Sequence, residues 1–249
     1  VVVPADTKAF QIHLDEVEKR ITKHTQAIIV NSPNNPSGVV YSRQTLETLA
    51  AILRAKEALY GHPIYLIADE PYRELVYDGA EVPFIPNLYP NTIVCYSFSK
   101  SLSLPGERLG YVLVPKQVTD ADSVYAATAG AGRSQGYVNA PSLFQRVAAE
   151  CCDLTADIGV YERNCALLTD ALREMGYQVV QPGGAFYLFP RSLEPDDMAF
   201  SERAKKFDLL LVPGSGFGAP GHFRIAYCVQ TEMIERALPR FKALADSYQ

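Results

Sequence analysis

The 249-residue sequence predicts an α/β chain: a mostly parallel sheet with helices on both faces, followed by a smaller C-terminal α+β part. Short apolar runs at 27–30, 64–68, 92–96 and 110–114 read as buried strands. Longer crossings interleave with these strands, which indicates a parallel sheet covered on both faces. After about residue 155 the pattern changes to helix, paired strands and helix.

The elements follow in order. Run 27–30 is the first strand. Ser42 then starts a helix with Leu46, Leu49 and Leu53 on one face, and Gly61 and Pro63 stop it. Runs 64–68, 92–96 and 110–114 supply the next three strands. From Gly159 a helix carries Tyr161, Cys165, Leu168, Leu172 and Met175 on one stripe and ends at Gly176. Residues 177–180 and 185–189 flank Pro182-Gly183-Gly184, which is a hairpin signal. Short strands are expected at 209–212 and 223–227, with Thr231 as the N-cap of a last helix. The division this predicts is a large domain at 1–155 and a small one at 156–249, joined through helical sequence around 140–158. The opening Val1-Val2-Val3 reads as the inside of a strand, so the chain looks cut at its start.

Composition narrows the classes. Hydrophobic residues make 48% and charged residues 20%, which suits a folded globular protein and excludes a disordered one. Twenty-three basic against 28 acidic residues argue against a large nucleic-acid surface. No apolar run approaches the roughly 18–20 residues of a membrane span. Cysteines 95, 151, 152, 165 and 228 form no Cys-x-x-Cys pair and read as reduced core thiols of a cytoplasmic protein. Cys151-Cys152 in particular reads as core packing on a helix, and residues 15–20 as a solvated helix face. Histidines 13, 24, 62 and 222 lack metal-ligand spacing, so no metal is expected.

In open α/β sheets, ligands gather at the carboxyl ends of strands. After the first strand comes Asn31-Ser32-Pro33-Asn34-Asn35-Pro36-Ser37-Gly38. The second is followed by Asp69-Glu70-Pro71-Tyr72, and the third by Ser97-Phe98-Ser99-Lys100 with Arg108 beyond. Singly these are ordinary turns, caps and loops. Together, each behind a buried strand, they bring amide, carboxylate, phenol, hydroxyl, ammonium and guanidinium groups to one sheet edge.

With Pro105-Gly106-Glu107-Arg108-Leu109-Gly110, Gly184-Ala185-Phe186-Tyr187 and Phe223-Arg224-Ile225-Ala226, these motifs make the whole chain resemble one family. It is the fold-type I pyridoxal-phosphate (PLP) enzymes, specifically the class I/II aminotransferases of the aspartate aminotransferase group. The resemblance implies PLP as cofactor and a role for each matching residue. Lys100 resembles the lysine that forms the Schiff base with PLP, an amine that must be neutral to attack. Asp69 resembles the acid that keeps the pyridine nitrogen protonated, so that the ring can act as an electron sink. Asn35 and Tyr72 resemble the donors to the ring's phenolic oxygen. Ser97, Ser99 and Arg108 resemble the phosphate-binding set. Arg224 resembles the clamp on the substrate α-carboxylate, with Asn35 beside it.

The implied reaction is ping-pong transamination between an amino acid and a 2-oxo acid, with Lys100 moving the Cα proton. Implied too are a cytoplasmic homodimer, amino-acid biosynthetic metabolism, and no nucleic-acid or membrane partner. Family members are longer at the amino end, so this chain is expected to be a fragment that binds PLP poorly alone. Arg133 lies near where aspartate-specific relatives supply a side-chain arginine, but its register does not match and it reads as a surface residue. Two further readings stay open: β-elimination or decarboxylation by the same ring chemistry, and the aminotransferase-like sensor domain of a transcription regulator. A degenerate scaffold piece is a third, against which the complete set of reactive residues argues.

Overall fold

The computed structural model describes residues 1–4 and 6–248. Its first part runs α1 (Leu14–Arg20), β1 (Ala27–Asn31), α2 (Arg43–Tyr60), β2 (Tyr65–Asp69), β3 (Thr92–Ser97), α3 (Phe98–Ser101) and β4 (Gly110–Leu113). Then come α4 (Ala121–Ser134), α5 (Ser142–Cys151) and α6 (Ile158–Glu174). The chain ends with β5 (Tyr187–Leu188), α7 (Asp197–Lys205), β6 (Val212–Pro213), β7 (Phe223–Ala226) and α8 (Thr231–Asp246).

Local chemistry sets these boundaries. Ser42 Oγ accepts the Thr45 N–H at 3.0 Å and opens α2. Gly61 closes that helix at φ +73°, a left-handed conformation that favours glycine. Leu46, Leu49 and Leu53 are buried from α2 against Val30, Leu66, Ala68 and Val94 of the sheet. Strands β1, β2 and β3 are parallel neighbours, and their register aligns Asn31 with Asp69 and Asp69 with Cys95. Three strand ends therefore meet along one line.

Strand β4 departs from the expectation of another buried strand. It pairs antiparallel with β3 at the sheet edge, and all four of its residues are exposed. Phe98 N–H donates to Leu109 O at 3.1 Å, which closes the connection on itself and turns the chain back beside β3. On the face shared by Ile29, Asp69 and Cys95, Ile29 is 71% exposed.

The second sheet has the order β5-β7-β6 and is antiparallel. The hairpin expected across residues 177–189 does not form. Residues 177–180 make no strand, and Tyr187–Leu188 pairs with β7 instead. The intervening turn spends its backbone groups elsewhere: Gly183 and Gly184 N–H both donate to Gly38 O, at 3.0 and 2.9 Å, and Gly183 O accepts Tyr77 N–H. Of the strand expected at 209–212 only Val212 belongs to β6. Thr231 is the first residue of α8 rather than its cap, because its hydroxyl donates to Asn164 Oδ1 at 2.7 Å. Val1, Val2 and Val3 are not in a strand.

The stripe on α6 holds as read: Cys165, Leu168 and Leu172 are buried in a core with α8, β5 and β7, and Tyr161 and Met175 pack against it. That core also takes in Tyr72, Leu75 and Tyr77 from the segment after β2. The cysteine reading needs correction. Cys165 alone is buried, Cys95 and Cys151 are half-buried, and Cys152 and Cys228 are exposed. Helix α5 buries only Ala148, so Cys151 at its end and Cys152 just beyond it have no core to enter.

Candidate active site

The site starts from the aligned strand ends. Asn31 closes β1 and donates its side-chain amide to Asp69 O at 3.0 Å and to Asp69 Oδ2 at 3.1 Å. Burial pushes the Asp69 carboxyl above its usual pKa, and the Asn31 hydrogen bond works against that rise. Asn31 Oδ1 accepts the Asn35 N–H at 2.7 Å, and Asn35 Oδ1 accepts from the Arg224 guanidinium at 2.9 Å. Carboxylate, two amides and guanidinium thus form one hydrogen-bonded chain.

A glycine makes this approach possible. Gly38 has φ +71°, and a Cβ there would lie 2.5 Å from Pro182 Cβ and 2.6 Å from Tyr187 O. The turn bearing Asn35 therefore packs directly on β5. Arg224 lies between two rings, 4.8 Å from the Tyr187 centroid and 4.9 Å from that of Phe217. No carboxylate pairs with it among the described residues. The turn holding Phe217 is pinned by Asp197, which accepts Ser215 N–H and Ser215 Oγ at 2.7 Å each and Gly221 N–H at 3.2 Å.

Tyr72 is buried and shares a 3.1 Å hydrogen bond with the Tyr187 hydroxyl. Burial drives its pKa up, as do Tyr187 and the Asp69 charge, while the Arg224 charge opposes the rise. Lys100 sits half-buried on α3 with Nζ 5.5 Å from the Phe186 centroid, and the same ring packs edge-on against Tyr72. Desolvation raises the pKa of the Cys228 thiol, against the pull of the Lys100 and Arg224 charges.

Ser97 caps α3, accepting Ser99 N–H at 3.2 Å, and the two hydroxyls meet at 2.8 Å. Arg108 stands apart. It is exposed, at φ +54°, and donates to Pro105 O at 2.7 Å; no described hydrogen bond joins it to Ser97 or Ser99. Arg133 is exposed near the end of α4. A cavity of about 890 Å³ opens beside Asn31 and Asn35 and runs toward Phe217 and the N-terminal valines. Asp69, Tyr72, Lys100 and Arg224 do not line it, so it adjoins the cluster without containing it.

The fold and the cluster define the class: an α/β ligand site with one carboxylate, amide donors and two cations, Lys100 and Arg224, that pair with no carboxylate among the described residues. Such a site suits an anionic ligand. The chain belongs to the family aminotransferase class I and II, whose model matches residues 1–241. It is 33% identical to an aromatic-amino-acid aminotransferase 2 of Thermococcus litoralis, over 97% of this chain and 63% of that protein. It superposes on an amino transferase of Eubacterium rectale with a TM-score of 0.97 and 54% identity, over 99% of this chain and 62% of the other. Against an aspartate aminotransferase of Thermotoga maritima the TM-score is 0.85 at 29% identity, over 98% of this chain and 62% of the other. The chain thus spans a little over three fifths of the length of these relatives. Pyridoxal phosphate is the family's cofactor.

Proposed function

We propose that this chain carries the lysine-bearing side of an aminotransferase site that moves an amino group between an amino acid and a 2-oxo acid. The observation that carries the reading is Arg224. A half-buried guanidinium held by an amide and two rings, with no carboxylate partner among the described residues, is built to receive one from outside.

The residues fit pyridoxal phosphate, which when bound supplies an electron sink for the charge that develops at the substrate Cα. Asp69 would face its ring nitrogen, with one carboxylate oxygen already oriented by Asn31. Tyr72 and Asn35 would serve its phenolic oxygen. Ser97 and Ser99 would bind the phosphate, and Arg108 would join them by leaving Pro105 O. Arg224 would grip the substrate α-carboxylate in a two-pronged hydrogen bond and fix which Cα bond faces the ring. The Lys100 amine would then hold and move the proton at Cα.

The family supports the chemistry, and relatives named for aspartate and for aromatic amino acids set the first substrates to try. A cytoplasmic homodimer serving amino-acid biosynthesis belongs to the same proposal. So does the division into units 1–155 and 156–249, supported by separate sheets and largely separate cores. The test is to incubate the chain with excess pyridoxal phosphate, reduce with borohydride and map the peptides. Reduction traps even a weak complex, and the label is expected on Lys100. A label confined to other lysines removes the assignment. Ammonia release in place of amino-group transfer, in a holoenzyme containing this chain, would turn the reading toward elimination.

A further inference from the structure

The reading above uses Asn31 only to orient one Asp69 oxygen, yet its side chain also reaches Asn35 and through it the rest of the site. Its amide donates to Asp69 O at 3.0 Å and to Asp69 Oδ2 at 3.1 Å. Its carbonyl accepts Asn35 N–H at 2.7 Å, and Asn35 carries the connection to Arg224 at 2.9 Å. A backbone tie between β1 and β2 needs none of this, since the parallel pairing already joins the two strands. The Asp69 Oδ1 atom has no side-chain or backbone donor among the described hydrogen bonds. Asn31 thereby holds one carboxylate oxygen and leaves the other for a ligand.

We propose that Asn31 is a positioning residue that orients the Asp69 carboxylate and, through Asn35, fixes its spacing from the Arg224 guanidinium. This rests on the reading of Asp69 as the partner of a protonated ring nitrogen and of Arg224 as the carboxylate clamp. The relay makes the two charged ends of the site a single unit. A ring set by Asp69 and a carboxylate set by Arg224 are then placed relative to each other before either binds. The donor also favours the ionised form of Asp69, which burial disfavours. Other groups that sense Asp69 are Cys95 on the neighbouring strand and Glu70 and Tyr72 after β2.

The test is an NMR titration of the chain without cofactor. Aspartate-carboxyl carbons are followed with Asp69 assigned by Asp69→Asn, and side-chain amides are followed in parallel. In the unmodified chain the Asn31 amide signal is expected to move with the Asp69 midpoint. Asn31→Ala is expected to raise that midpoint by about one pH unit, the size of one lost hydrogen bond to a charged group. Asn31→Asp, which keeps the shape but adds a like charge, is expected to raise it further. The Arg224 Nε signal is expected to shift in both variants, although Asn31 does not touch that residue. An Asn31 amide indifferent to Asp69 ionisation overturns the proposal without any variant having to fold. So does an unchanged midpoint in a folded Asn31→Ala chain. Failure to label Lys100 with pyridoxal phosphate and borohydride would instead overturn the reading on which it rests, so the two failures are distinguishable.

Discussion

Replacing Glu70 with glutamine is expected to remove a pH-dependent loss of stability. The Glu70 side chain is 3% exposed. Burial pushes its carboxyl from 4.5 up to about 7, although Arg73 Nε stands 3.0 Å from Oε2 and pulls the other way. The charges of Glu74 and Asp69 add to the rise, and Oε1 has no hydrogen-bond partner. An acid whose pKa is higher folded than unfolded binds its proton more tightly in the native state. Its contribution to stability is therefore full below about pH 4.5 and is lost as pH rises through about 7. At roughly 1.4 kcal/mol per pH unit, that difference amounts to about 3 kcal/mol on the alkaline side. Glutamine keeps the shape and cannot ionise. Urea unfolding of both proteins at steps between about pH 4.5 and 8 measures the effect. The variant is expected to match the native chain at the acid end and to exceed it by about 2–3 kcal/mol at the other. Parallel pH profiles would refute the reasoning, because they would mean that Arg73 satisfies an ordinary ionised carboxylate.

Leu53 is fully buried under α2, so Leu53→Ala is expected to cost about 3 kcal/mol in urea unfolding. Asp197 behaves oppositely to Glu70: burial raises its pKa, but hydrogen bonds from Ser215 and Gly221 outweigh that and leave it lowered. Asp197→Asn is accordingly expected to lose about 1–2 kcal/mol near neutral pH, with the gap closing as pH falls through the native pKa, read by thermal unfolding. Phe217→Leu takes one ring from Arg224 and is expected to raise the KM of the holoenzyme for amino acid about threefold with a smaller change in kcat. An unchanged KM would mean that Tyr187 alone steadies the guanidinium.

What was legible in the sequence followed short-range signals. Ser42 and Gly61 bounded α2 because cap chemistry is local, and the stripe on α6 emerged because helical periodicity survives burial. Lys100, Asp69 and Tyr72 were found because each ends or follows an apolar run. Long-range pairing was not legible. Residues 177–189 carry every mark of a hairpin, but nothing local says that Gly38 will take the turn's N–H groups. Strand β4 is as apolar as its neighbours, and nothing in its own residues marks it as an exposed antiparallel edge. Within the site, Asn31 looked like the first residue after a strand and Tyr187 like a strand residue, and Phe217 carried no signal at all. Their roles depend on partners 38, 37 and 7 positions away, at Asp69, Arg224 and Arg224. Arg108 followed its motif in sequence, but its side chain lies back against Pro105.

The segment after β2 is rooted in the interior of the C-terminal elements, through Tyr72, Leu75 and Tyr77. Its start is anchored elsewhere, at Asp69 in the first sheet. The residues between 69 and 72 thus link the two sheets within the site itself, so the distance from carboxylate to phenol is set by how both sheets hold that short stretch.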